Sequence, residues 1–116
     1  MIVYRMEWRG HGVLGGAEQI PDHLYSLLRR TGAFNMPCLM NDPLLAERIC
    51  DLFDVEEFDD AYDAISDLKF GCTSWDQFLL WFPLLFHEEL MEKGVRILEF
   101  NIPDDCVIVG EFQCVF

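Results

Sequence analysis

Hydrophobic and polar positions alternate at the start of the chain, where Ile2, Tyr4, Met6 and Trp8 interleave with Val3, Arg5, Glu7 and Arg9. A period of two predicts a strand with one buried face, because successive side chains leave a strand on opposite sides. Gly10-His11-Gly12 and Gly15-Gly16 then predict a flexible loop with permissive backbone angles. Asp22 is placed to cap a short helix running through Arg30 and stopped by Gly32, with Arg29 and Arg30 at the end where a helix favours cations. Ala33 to Met40, with Asn35 and Pro37, is expected to be irregular. Asn41 or Asp42 before Pro43 gives an N-cap and first-turn pair that opens a helix to about Phe53. Phe58, Tyr62 and Ile65 recur at i, i+4 and i+7, which predicts a second helix with a stripe facing the core.

Ser74 with Gln77 reads as a capping box opening a helix through Trp81, interrupted by Pro83 before a further helical stretch, Leu84 to Lys93, that ends at Gly94. Val95 to Ile102 reads as a strand and Pro103-Asp104-Asp105 as a turn. Cys106 to Val109 and Glu111 to Phe116 read as a final strand or hairpin broken at Gly110. Strands at both ends with helices between them predict an α+β fold, in which N-terminal and C-terminal strands form a small, mostly antiparallel sheet and a central helical region packs on it. At 116 residues a single domain spanning 1–116 is expected.

Charge changes this picture most in the middle of the chain. Of the formal net charge of −13, the stretch Asp42 to Asp67 contributes −9, ten carboxylates against Arg48 alone. Asp51, Asp54, Glu56, Glu57, Asp59, Asp60, Asp63 and Asp67 are the candidate partner-binding residues, mostly on the outer faces of the second helix and its approach. Metal ligation is a poor fit, since hard-cation loops need a turn-forming Gly that this stretch lacks. A solvated face that serves solubility is the plain alternative, but adjacent like charges cost stability, and solubility alone needs fewer than ten. The sign of the charge opposes direct binding to nucleic acid or to anionic membranes and favours a basic protein surface.

The remaining chemistry is sparse. Five scattered cysteines, Cys38, Cys50, Cys72, Cys106 and Cys114, form no C-x-x-C pair, which points away from a disulfide framework or structural zinc and toward a reducing cytosol. The three histidines, His11, His23 and His87, have no metalloprotease spacing and no cysteine-protease signature around them. The Gly-rich opening matches neither a dinucleotide fingerprint nor a P-loop. No catalytic residue, metal or cofactor is therefore assigned. Phe78 to Phe86 is the longest apolar run, far short of a membrane span. Most of Trp75, Phe78, Leu79, Trp81, Phe82, Leu84, Leu85 and Phe86 is expected in the core, and any left outside beside an acidic rim would suit a protein partner or a homodimer contact.

The opening Tyr4-Arg5-Met6-Glu7 with Gly10-His11-Gly12, the middle Phe70-Gly71-Cys72-Thr73-Ser74 with Gln77 and Trp81-Phe82, and the close Val107 to Phe116 together resemble a family of small phage and prophage proteins. Some acidic members of such families are anti-CRISPR inhibitors. That resemblance implies a cytoplasmic, non-enzymatic inhibitor, a nucleic-acid mimic that occludes a basic channel of a CRISPR effector or nuclease subunit. The opening and closing strands also resemble ADP-ribosyltransferase-like folds. This second resemblance implies an NAD-using enzyme built on Tyr4, Arg5, His11 and Glu111, with Gln113 competing for the late-strand catalytic position.

Overall fold

The computed structural model describes residues 1–13, 20–35 and 42–116; Gly15-Gly16, Pro37, Cys38 and Asn41 lie outside the described residues. Strand β1 (Ile2–Trp8) pairs antiparallel along its whole length with β4 (Val95–Asn101), from Ile2 opposite Asn101 to Trp8 opposite Val95. On its other edge β1 folds back into β2 (His11–Gly12). The two turn residues, Arg9 and Gly10, both have positive φ, 51° and 82°, the requirement of a two-residue hairpin whose twist suits its strands. Gly10-His11-Gly12 is thus a tight hairpin corner rather than a flexible loop. Arg9 lays its guanidinium 4.6 Å from the Trp8 ring centroid.

A second antiparallel sheet has the order β3, β6, β5, formed by Phe70–Gly71, Cys114–Val115 and Ile108–Val109. The fold is α+β, with the strands shared between two three-stranded sheets. The last strand therefore joins β3 and β5, while β1 takes β4 as its long partner. Reciprocal hydrogen bonds between Tyr4 and Cys72, 2.8 Å each, fasten the sheets together. This contact overturns the expectation of one buried face on β1. Val3, Met6 and Glu7 are all buried, because the second sheet covers the side that the alternation leaves to solvent. The approach is close enough that a Cβ on Gly71 would lie 2.6 Å from Val3 Cγ1.

Five helices lie among the described residues, and they divide between two apolar clusters. α1 (Asp22–Thr31) buries Leu24, Leu27, Leu28 and Thr31 at helical spacing, and Gly32 ends it in the left-handed region at φ 83°. With α4 (Trp75–Trp81) and α5 (His87–Glu92) it packs Phe78, Phe82 and Leu90 against Met6 and Val95 of the first sheet. The second cluster joins α2 (Pro43–Phe53) and α3 (Phe58–Ala64) through Leu45, Ile49, Ala61 and Ile65 to Val115 of the second sheet.

Three local expectations are corrected. The N-cap of α1 is Pro21, with no side-chain cap bond, and Asp22 sits inside the first turn, where its charge still suits the helix N-terminus. Of the stripe predicted for the acidic helix, Ile65 is buried as expected, but Tyr62 is exposed and its neighbour Ala61 takes the inward place against α2; the Phe58 side chain lies outside the described residues. The apolar run from Trp75 to Phe86 buries Phe78 and Phe82 but leaves Trp75, Leu80, Leu84 and Leu85 exposed. Pro83 splits that run, and the short 3-10 turn Leu84–Phe86 that follows turns its leucines outward. Ser74 caps α4 as expected, its Oγ accepting from the Gln77 N–H at 3.0 Å, but the return arm of the box shifts by one residue, with Gln77 Oε1 accepting from the Thr73 N–H at 3.2 Å. No helix among the described residues is long and apolar enough to cross a membrane.

Candidate functional site

Between Asp51 and Asp67 the chain has eight carboxylates and no Lys or Arg. Asp51 occupies the last turn of α2, and Asp54 closes that helix in the left-handed region at φ 53°, a conformation Asp tolerates better than most residues. Glu56 and Glu57 follow in the link, Asp59, Asp60 and Asp63 lie on α3, and Asp67 follows it. All eight are exposed. The α2–α3 hairpin and its flanks thus carry every candidate residue.

None of the eight has an ion-pair partner among the described residues, where the ion pairs are Met1 with Asp104, Arg5 with Glu7, and Arg30 with Glu89. Arg48, the one cation inside the acidic stretch, instead donates from Nη1 to the Val109 carbonyl at 2.6 Å. It ties α2 to the second sheet and leaves the carboxylates uncompensated. Asp59 and Asp60 sit in the first turn of α3, where the helix dipole favours them, but Asp51 and Asp63 occupy final turns, where it opposes them. Fold stability alone does not favour that placement.

Asp42, the first of the ten carboxylates, belongs to a different structure. It is completely buried and caps α2 by accepting from the Leu45 N–H at 3.2 Å. The same carboxylate accepts from the N–H groups of Glu111 and Phe112, each at 3.0 Å. It clasps the β5–β6 connection, and a Cβ on Gly110 would lie 2.5 Å from its Oδ2. The capping role is legible from the Asp-Pro pair, but the clasp joins positions about 70 residues apart and has no local signal. The surface therefore carries nine of the ten carboxylates, Glu47 included.

The residues of the NAD reading do not line one cleft. Tyr4 and Arg5 are neighbours on β1 and so project to opposite faces. The Tyr4 ring packs on Trp75 and Phe78, with centroids 5.3 Å and 6.3 Å away. Arg5 is committed to Glu7 Oε2 and the Phe70 carbonyl, each at 2.7 Å. His11 is exposed at the hairpin corner. Glu111 lies in the connection between β5 and β6, not on a strand, with its N–H on Asp42 and its carbonyl accepting from Gln77.

The buried thiols of Cys72 and Cys114 are both pushed up from the ordinary 9.0 to about 12. Burial is the cause at Cys72; at Cys114 burial comes first, then the neighbouring Cys72, against a hydrogen bond from the Gly71 backbone. At neutral pH both stay protonated, and neither is a nucleophile. Among the described residues no group of three or more His, Cys, Asp or Glu side chains could hold a metal ion.

No curated protein and no solved structure matches the chain. One family model does match, over residues 1–116, and its description is Bacteriophage T4 Y00F protein. With the whole length matched, the chain belongs to this bacteriophage protein family.

Proposed function

We propose that this phage protein works by binding another protein, and that the α2–α3 face engages a basic, nucleic-acid-handling surface and occludes it. The observation that carries this reading is the set of eight exposed carboxylates with no ion-pair partner among the described residues, two of them, Asp51 and Asp63, held against their own helix dipoles. Charges arranged against local stability are expected where a partner supplies the compensation on binding. Steering by the concentrated negative field would speed encounter with a basic groove, and the groove's own nucleic acid would be the competitor. A CRISPR effector or nuclease subunit in the host cytosol is the partner class with the most fitting chemistry, since such proteins hold nucleic acid in positively charged channels.

The experiment is affinity capture from host lysate with the wild-type chain and with the combined Asp59→Lys, Asp60→Lys and Asp63→Lys variant, followed by elution with DNA. The expected result is that nucleic-acid-binding proteins are retained by the wild type alone and released by DNA. Equal retention by a folded variant, or no release by DNA, refutes the reading. Purified CRISPR nucleases assayed for cleavage with and without the protein then test the narrower assignment.

A further inference from the structure

The α4–α5 region presents a second surface, on elements that pack in a different apolar cluster from the acidic hairpin. Leu80, Leu84, Leu85 and Met91 are 72, 66, 84 and 57% exposed, too much for residues that belong to the core. Leu84, His87, Glu88, Met91 and Glu92 line one shallow groove, and Leu84, His87, Glu88 and Met91 follow the i, i+3, i+4, i+7 spacing of one helical face. The groove has a firm floor. His87 is buried, its Nε2 lies 2.7 Å from the Phe82 carbonyl, to which it must donate because a carbonyl only accepts. Trp75 and Phe78 pack edge-on against the same ring, at 5.8 Å and 6.0 Å between centroids.

Its rim is acidic. Glu88 and Glu92 are exposed along the groove, and Asp76 lies one turn before Leu80 on α4. None of the three has an ion-pair partner among the described residues, and the nearby Glu89 is taken by Arg30 at 3.7 Å. An apolar strip of Leu and Met with a negative edge matches an amphipathic helix, whose apolar side fills the strip while flanking cations meet the rim. Charge selects among the possible occupants. A second copy would set the same carboxylates against one another on chains that each carry −13, and anionic lipid headgroups would be repelled as well.

We propose that the groove lined by Leu84 and Met91 and edged by Glu88 and Glu92, with the exposed Leu80 and Leu85 close by in the chain, docks a basic amphipathic helix of a partner protein. This surface is separate from the α2–α3 face, and its test can fail while that reading stands. The probe is a synthetic leucine–lysine amphipathic helix, compared by calorimetry with a scrambled peptide of equal composition. The expected result is binding by the ordered peptide only. Leu84→Ser with Leu85→Ser, and separately Glu88→Lys with Glu92→Lys, each weaken it about tenfold. The α3 lysine variant should bind within about twofold of wild type, as independent sites do. Because the replaced residues are exposed, circular dichroism of each variant should match the wild type. Several results overturn the proposal: no binding, equal binding of the scrambled peptide, indifference to the serine variant, or loss in the α3 variant. A dimer in sedimentation that the serine variant dissolves also overturns it, by assigning the strip to a second copy.

Discussion

Replacing Asp42 by Ala should destabilise the fold more than removal of any of the exposed carboxylates, for reasons that the geometry makes quantitative. The side chain accepts from three backbone N–H groups, on Leu45, Glu111 and Phe112. Loss of a helix N-cap costs about 1 kcal/mol. Each of the other two donors, part-buried and left without an acceptor, costs about 1 to 1.5 kcal/mol. The expected total is about 3 to 4 kcal/mol, read as a lower urea midpoint with an unchanged m-value. Asp42→Asn keeps one acceptor oxygen but turns an amide group toward an N–H, so about half that loss is expected. Hydrogen exchange supplies the specific readout, since the Glu111 and Phe112 amides should lose protection in the Ala variant while amides in β1 and β4 follow only the global change. A loss below about 1 kcal/mol, or unaltered protection at those two amides, would refute the clasp.

Gly110→Ala tests the same contact from the other side. Its Cβ would meet Asp42 Oδ2 and Leu45 Cβ at 2.5 Å, so a loss of about 1 to 3 kcal/mol is expected, smaller when Asp42 is already Ala because the two sites share a partner. Arg5 and Glu7 form a mostly buried pair at 2.7 Å; Arg5→Met should cost about 3 kcal/mol in chemical denaturation, and adding Glu7→Leu should recover part of it, whereas equal losses would discount the pair. The Cys72 and Cys114 thiols, raised to about 12, stay protonated in the folded protein above pH 9, where the unfolded chain has released the proton. Stability should therefore fall as pH rises through that window, by about 1.4 kcal/mol per pH unit for each thiol. Urea midpoints measured between neutral pH and pH 10 should show a shallower alkaline decline in Cys72→Ala, and an identical decline would refute the assignment.

The local signals were the ones the sequence determined. The Asp-Pro pair before Leu44, the Ser74 and Gln77 box, and Gly32 and Gly94 after their helices each act within one helical turn, so capping chemistry alone made them readable. The acidic stretch was readable too, because eight carboxylates without a cation have no internal means of neutralisation nearby in the chain. Tertiary structure decided which side of each element meets protein. Covering by the second sheet turned the polar side of β1 into an interior holding an ion pair, and packing against α2 took Ala61 inward where the spacing pointed to Tyr62. It also took Asp42 from the acidic run to join the chain ends of two distant elements, and left the leucines after Pro83 outside. Periodicity reports how a segment divides into faces, but which face is covered depends on contacts between residues far apart in the chain, and these leave no mark on the spacing of either segment.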